Sequence, residues 1–128
     1  MSQRRNEANS LPTVYVKRGC SGCDVARKWL VANDVHVQER EIFRDPLTVT
    51  EIEDLLGDRP VRDVLSTRTK QFAARGLNTR PHSEAELLRH MEMEPRLLRR
   101  PILQLGDTLV VGFDAERWSA VLLGNQRA

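Results

Sequence analysis

Cys20-Ser21-Gly22-Cys23 holds the chain's two cysteines, three positions apart. Two thiols at this spacing can carry two-electron chemistry alone. One sulfur attacks, and the other then closes on it to form a disulfide. The thiolate is the attacking species, so the surroundings must favour ionisation. The apolar run at 13–16, Thr-Val-Tyr-Val, leads into the pair. Val25, Ala26, Trp29, Leu30 and Ala32 follow at helical spacing. The cysteines therefore belong where a strand ends and a helix begins. Unpaired N–H groups and the positive end of the helix dipole favour thiolate there, and Lys17 and Arg18 add charge. Residues i and i+3 of a first helical turn lie about 5–6 Å apart, a separation that a disulfide spans.

Other uses of a C-x-x-C pair are open. It could be half of a zinc site, but zinc takes four ligands, and His36, His82 and His90 show no suitable paired spacing. No metal is expected. The cysteines could also be inert small core residues. The flanking glycines and cations point instead to reactivity.

The elements that must position the pair can be read in order. Residues 13–17 form a first strand and 23–33 a first helix, broken at Asn33-Asp34. Residues 35–43 read as a second strand, parallel to the first through a right-handed crossover. Thr48 to Glu51 is a capping-box pattern opening a helix that Gly57 stops. Short helical pieces follow at 59–65 and 71–75. Ser83 to Glu86 is a second capping box, and its helix carries Leu87, Leu88 and Met91. Two strands flank the hairpin signal Gly106-Asp107. Asp114 can cap a last helix with Trp118, Val121 and Leu122 inward. Trp29 and Trp118 read as core, Met91 and Met93 as packing and surface, and the histidines as surface. The order β-α-β, several helices, then β-β-α predicts an α/β thioredoxin-like core with a helical insertion between its halves. Residues 1–12 read as a flexible N-terminal arm, 13–123 as a single domain and 124–128 as a short tail.

Composition narrows the class. The 128 residues are 40% hydrophobic, enough for a core, and the net charge is only +2. That balance predicts no general attraction to nucleic acid. No apolar run approaches a membrane span, and the polar start offers no signal-peptide core. The expectation is a cytoplasmic monomer, in a compartment where structural disulfides are rare.

With these motifs in place the chain resembles the arsenate reductase/Spx family, from about residue 13 to 118. The resemblance rests on the strand, cysteine loop and helix at 14–30, and on Arg40-Glu41-Ile42-Phe43-Arg44-Asp45-Pro46-Leu47. It rests further on Ser66-Thr67-Arg68, on the segment from Arg96 through Arg99-Arg100-Pro101-Ile102, and on the turn Val111-Gly112-Phe113. It implies a thioredoxin-like fold in which Pro101 is cis and faces the cysteine loop. It implies one of two roles. Some members reduce arsenate with a nucleophilic cysteine and oxyanion-binding arginines. Spx and its relatives use C-x-x-C as a thiol switch and bind the C-terminal domain of the RNA polymerase alpha subunit.

Two departures from the reductases stand out. Val16 occupies the usual histidine position four residues before the cysteine, and Val111 occupies the place of a third arginine. Arg18, Arg62 and Arg80 are the other cations open for that place. Two departures from Spx also stand out. The segment 57–65 is shorter than its polymerase-contact stretch, and only 124–128 follow the last helix. Arsenate reductase is therefore the first expectation. Cys20 attacks arsenic, Arg68, Arg100 and Arg99 with the N–H groups around Ser21 and Gly22 hold the oxyanion, and Cys23 resolves. Thioredoxin would reduce the disulfide by exchange, and no bound metal or organic cofactor is required. The competing expectations are an Spx-type redox regulator and a general thiol-disulfide oxidoreductase.

Overall fold

The computed structural model describes residues 11–124. The expected arm and tail therefore lie, except for residues 11, 12 and 124, outside the described residues. The chain divides into two compact units. Among the described residues the first is built from 11–41 and 100–124, the second from Ile42–Arg99.

The first unit holds four strands: β1 (Thr13–Val16), β2 (Gln38–Glu41), β3 (Ile102–Leu105) and β4 (Thr108–Val111). Their order in the sheet is β2-β1-β3-β4. β1 runs parallel to β2, with Val14 opposite Glu39, while β1–β3 and β3–β4 are antiparallel. Helix α1 (Ser21–Ala32) makes the crossover from β1 to β2, and α5 (Ala115–Leu122) follows β4. This is the thioredoxin-like arrangement expected from the order of elements. Helix α1 buries Cys23, Ala26 and Leu30 against Val14, Val16, Leu103, Val110 and Trp118. Trp29, Phe113 and Trp118 form a ring cluster, with Phe113 and Trp118 centroids 5.0 Å apart and edge-on. The Trp118 indole N–H is satisfied by the Gly112 carbonyl at 2.9 Å, so burying it leaves no orphan donor. Asp114 caps α5 by accepting from the Glu116 and Arg117 amides at 2.9 and 3.2 Å.

The second strand is shorter than the 35–43 expected. Val35 and Val37 pack against the core of the first unit without joining the ladder. Only the polar run Gln-Glu-Arg-Glu pairs, at the sheet edge. An edge strand meets the core on little of its surface, so apolar alternation does not mark its ends. The Arg27 guanidinium reaches Glu39 on this edge with two bonds, 2.7 and 3.0 Å, tying α1 to β2.

The second unit is helical: α2 (Val49–Leu56), α3 (Lys70–Ala74) and α4 (Glu84–Met93), with 3-10 turns at Val61–Asp63 and Pro95–Leu97. Both capping boxes form. Thr48 and Glu51 exchange side-chain and backbone bonds of 3.1 and 2.9 Å, and Ser83 and Glu86 do so at 3.1 and 3.0 Å. The helical piece expected over 59–65 shrinks to the 3-10 turn, with Pro60 as its N-cap. Ile52, Leu55 and Leu56 of α2 and Leu87, Leu88 and Met91 of α4 are buried, and Met93 is exposed. His82 and His90 are half-buried rather than at the surface. His90 Nδ1 accepts from Arg75 Nε at 2.8 Å. Among the described residues no helix is long and apolar enough to cross a membrane.

Candidate functional site

The cysteine loop is built by a turn and a helix start. The amide of Cys20 donates to the Lys17 carbonyl at 3.2 Å, closing a four-residue turn. Gly19 takes φ +81° at its third position, a conformation a side chain disfavours. The Arg18 amide is held by the Glu41 carboxylate at 2.8 Å. Cys20 is the N-cap of α1, with extended backbone, and its carbonyl accepts the first helical bond from Asp24 at 3.0 Å. Ser21 and Gly22 are thus the first two helical residues, and Cys23 the third.

This placement makes the two sulfurs unequal. Cys20 is half-buried; Cys23 is fully buried. Both are free thiols. Burial opposes ionisation of Cys20, but hydrogen bonding with the Cys23 thiol, the pull of the Cys23 amide and the nearby Arg100 guanidinium outweigh it. The Cys20 thiol is held below its ordinary value. Burial pushes the Cys23 thiol up to about 12, with the hydrogen bond to Cys20 in the same direction. The Lys17 backbone N–H donates to Cys23 Sγ at 3.5 Å and works the other way. Sequence reasoning missed that amide. Its signal was the turn glycine, which brings the end of β1 back over the helix start.

The Arg100-Pro101 bond is cis, as the family resemblance implied. A Cβ placed on Gly22 would lie 3.6 Å from Pro101 Cδ, so this proline packs against the cysteine loop. The Pro101 carbonyl accepts from the Gly112 amide at 2.7 Å. Cys20, Ser21, Gly22, Cys23, Arg100 and Pro101 therefore all belong to the first unit, and Arg100 acts directly on Cys20. Val111, in place of a third arginine, stands opposite Ile102 in the β3–β4 ladder.

Arg68 and Arg99 belong to the second unit. They line a pocket there of about 390 Å³ together with Arg62, Leu65, Ser66 and Thr67. Among the described residues no group of three or more His, Cys, Asp or Glu side chains is placed to hold a metal ion.

The model of the ArsC family matches residues 15–121, and the chain belongs to that family. It is 31% identical over 117 residues to the global transcriptional regulator Spx of Streptococcus pyogenes serotype M1, covering 90% of this chain and 87% of that protein. Among solved structures it resembles an ArsC family related protein from Bacteroides fragilis. The TM-score is 0.75 at 26% identity, over 86% of this chain and 96% of that one. An arsenate reductase from Vibrio cholerae shares the fold with a TM-score of 0.74 at 21% identity, over 91% of this chain and 98% of that one.

Proposed function

We propose that the chain is a thiol–disulfide redox protein in which Cys20 attacks and Cys23 resolves. The observation that carries this is the inequality of the pair. A half-buried thiol held below its ordinary value sits one helical turn from a buried thiol raised to about 12. The first offers more thiolate than an ordinary cysteine at the same pH. The second stays protonated and protected until the first has reacted.

With a peroxide the Cys20 thiolate takes one oxygen, becomes a sulfenic acid and releases the alcohol or water. Cys23 then attacks that sulfur, a second water leaves and the disulfide forms. With arsenate the thiolate displaces hydroxide from arsenic. Cys23 attacks Cys20, the sulfur–arsenic bond electrons stay on arsenic, and arsenite leaves. Either route takes two electrons from the two thiols. A dithiol of the thioredoxin class restores them by exchange.

Two outputs of this chemistry each have an observation in their favour. A redox-gated regulator, whose oxidised form binds the polymerase alpha C-terminal domain, is favoured by the streptococcal relative that bears a regulator's name. Arsenate reduction is favoured by Arg100 beside the Cys20 thiolate, where a guanidinium can offset an approaching dianion. One assay separates them: NADPH oxidation by thioredoxin and its reductase with the pure reduced protein, with and without arsenate. Turnover that depends on arsenate supports the reductase. Its absence, together with alpha-domain binding gained on oxidation, supports the regulator. A protein that forms no Cys20–Cys23 disulfide under either condition overturns both.

A further inference from the structure

Both ends of the loop from α3 to α4 meet one imidazole. Arg75, the C-cap of α3, opens the loop, and Gly76 turns it with φ +74°. Leu77 is buried, and its amide donates to the Phe72 carbonyl at 3.0 Å. The Thr79 amide donates to the Gly76 carbonyl at 3.3 Å. His82 ends the loop, just before Ser83, the N-cap of α4. His90 stands in the last turn of that helix. Arg75 Nε donates to His90 Nδ1 at 2.8 Å, and the His82 ring stands edge-on to the His90 ring with centroids 6.3 Å apart. Arg75 Nη2 also reaches Met93 Sδ at 3.7 Å.

The Arg75–His90 bond has a fixed polarity. A guanidinium carries five donors and no acceptor, and it keeps its proton at any ordinary pH. Nδ1 must therefore present its lone pair, which places the ring proton of neutral His90 on Nε2. A proton on Nδ1 would set N–H against N–H and one cation against another. Only the neutral ring makes this contact.

The surrounding groups favour that neutral form. Burial disfavours the imidazolium most, then Arg75, with His82 and Arg89 in the same direction. Glu86, one turn earlier on α4, favours it, as does the negative end of the helix. Glu86 is shared, however: it accepts from the Ser83 amide at 3.0 Å and pairs with Arg80 at 3.3 Å. Other carboxylates of α4 and its neighbours are also engaged. Glu84 accepts from the Val61 amide, Glu92 from the Val49 amide of α2, and Glu94 from the Arg96 amide. On α2, Glu51 accepts from the Thr48 amide, while Glu53 and Asp54 are exposed. Arg62, Asp63 and Arg96 of the 3-10 turns are exposed, and Lys70 lies at the far end of α3. The balance holds His90 below its ordinary value.

We propose that His90 is an acid-sensitive clasp for the loop 75–82, closed on α4 while the ring is neutral and released when Nδ1 takes a proton. Its contribution to stability is complete above the unfolded histidine value of about 6.5 and is lost as pH falls through the lower folded value. The clasp lies within the second unit and is independent of the thiol reading, so either can fail alone.

Proton NMR of the His90 ring and amide exchange in the full reduced chain, across about pH 5–8, test it. The ring should titrate with a midpoint below that of free histidine. Protection factors of the Leu77 and Thr79 amides, corrected for the intrinsic effect of pH, should fall severalfold as it does so, while β3 amides keep theirs. Arg75→Met removes the donor and the cation, so the His90 midpoint should move up. His90→Gln keeps an acceptor without a titrating group, so loop protection should be equal at both ends of the range. Thermal melting checks each variant, and the Arg75→Met midpoint decides the matter even where His90→Gln does not fold. A midpoint at or above that of free histidine, or one unmoved by Arg75→Met, would overturn the proposal. So would loop protection indifferent to His90 titration, a fall shared equally by β3, or the same fall in His90→Gln.

Discussion

At the level of single residues, the proposed chemistry rests on the inequality of two thiols one helical turn apart. The motif, the strand before it and the helix after it were legible in the sequence. Which sulfur would be buried was not, because that depends on where Val14, Val16, Leu103 and Trp118 close over α1. Arg100 was legible as a site residue through its motif, and the structure gives it a direct effect on Cys20. A lowered pKa means more thiolate at any pH below it. Cys20 should therefore react with iodoacetamide at a lower pH than free cysteine, and Cys23 should stay unlabelled at neutral pH. Replacing Arg100 with Met removes a cation that favours the thiolate, so the labelling midpoint of Cys20 should move up in pH. An unmoved midpoint would show that Arg100 does not tune the thiol. Cys23→Ser should leave Cys20 able to attack but trapped as its sulfenic acid or mixed adduct, as mass spectrometry would read.

Elements hold those residues in place. Helix α1 is pinned to the sheet by its buried face, by the ring cluster and by the Arg27–Glu39 pair on the surface. These differ greatly in strength. Removing the fully buried Trp118 side chain leaves a large cavity, and Trp118→Ala should cost about 3–5 kcal/mol by urea unfolding. The exposed Arg27–Glu39 pair is worth at most about 1 kcal/mol. Losing the cap in Thr48→Ala or Asp114→Ala should cost about 1 kcal/mol each. Both capping boxes and the Asp114 cap were readable because the donor and acceptor lie within three residues of each other. The extent of β2 was not readable. Val35 and Val37 suggest a longer strand, yet they serve packing, while the four paired residues are polar and lie at an edge. Gly19 provides a local test. A side chain there would meet open space but a strained φ, so Gly19→Ala should destabilise by roughly 1 kcal/mol through the backbone alone.

Across the molecule, sequence order gave the two halves of a thioredoxin-like core and the helical insertion between them. The division into units follows that insertion. The expected oxyanion residues fall on both sides of that division: Arg100 is counted with the first unit, Arg68 and Arg99 with the second. Adjacent positions in a motif do not reveal such a division. Nor does the sequence reveal that Arg62 joins Arg68 and Arg99, since that grouping comes from the Leu65–Leu98 bridge between segments more than thirty positions apart. Family membership and the cysteine pair make redox chemistry the shared property of both proposed outputs. The choice between a regulator and a reductase lies in what the oxidised or reduced protein meets next.

The most direct measurement counts thiols. The purified, reduced chain is treated with an equivalent of hydrogen peroxide, alkylated, digested and weighed. It is then measured again after thioredoxin, thioredoxin reductase and NADPH. The account predicts a monomer lighter by two hydrogens, a peptide cross-link between Cys20 and Cys23, and recovery of both alkylatable thiols on reduction. Two thiols that stay alkylatable after peroxide, or a disulfide formed only between separate chains, would contradict it.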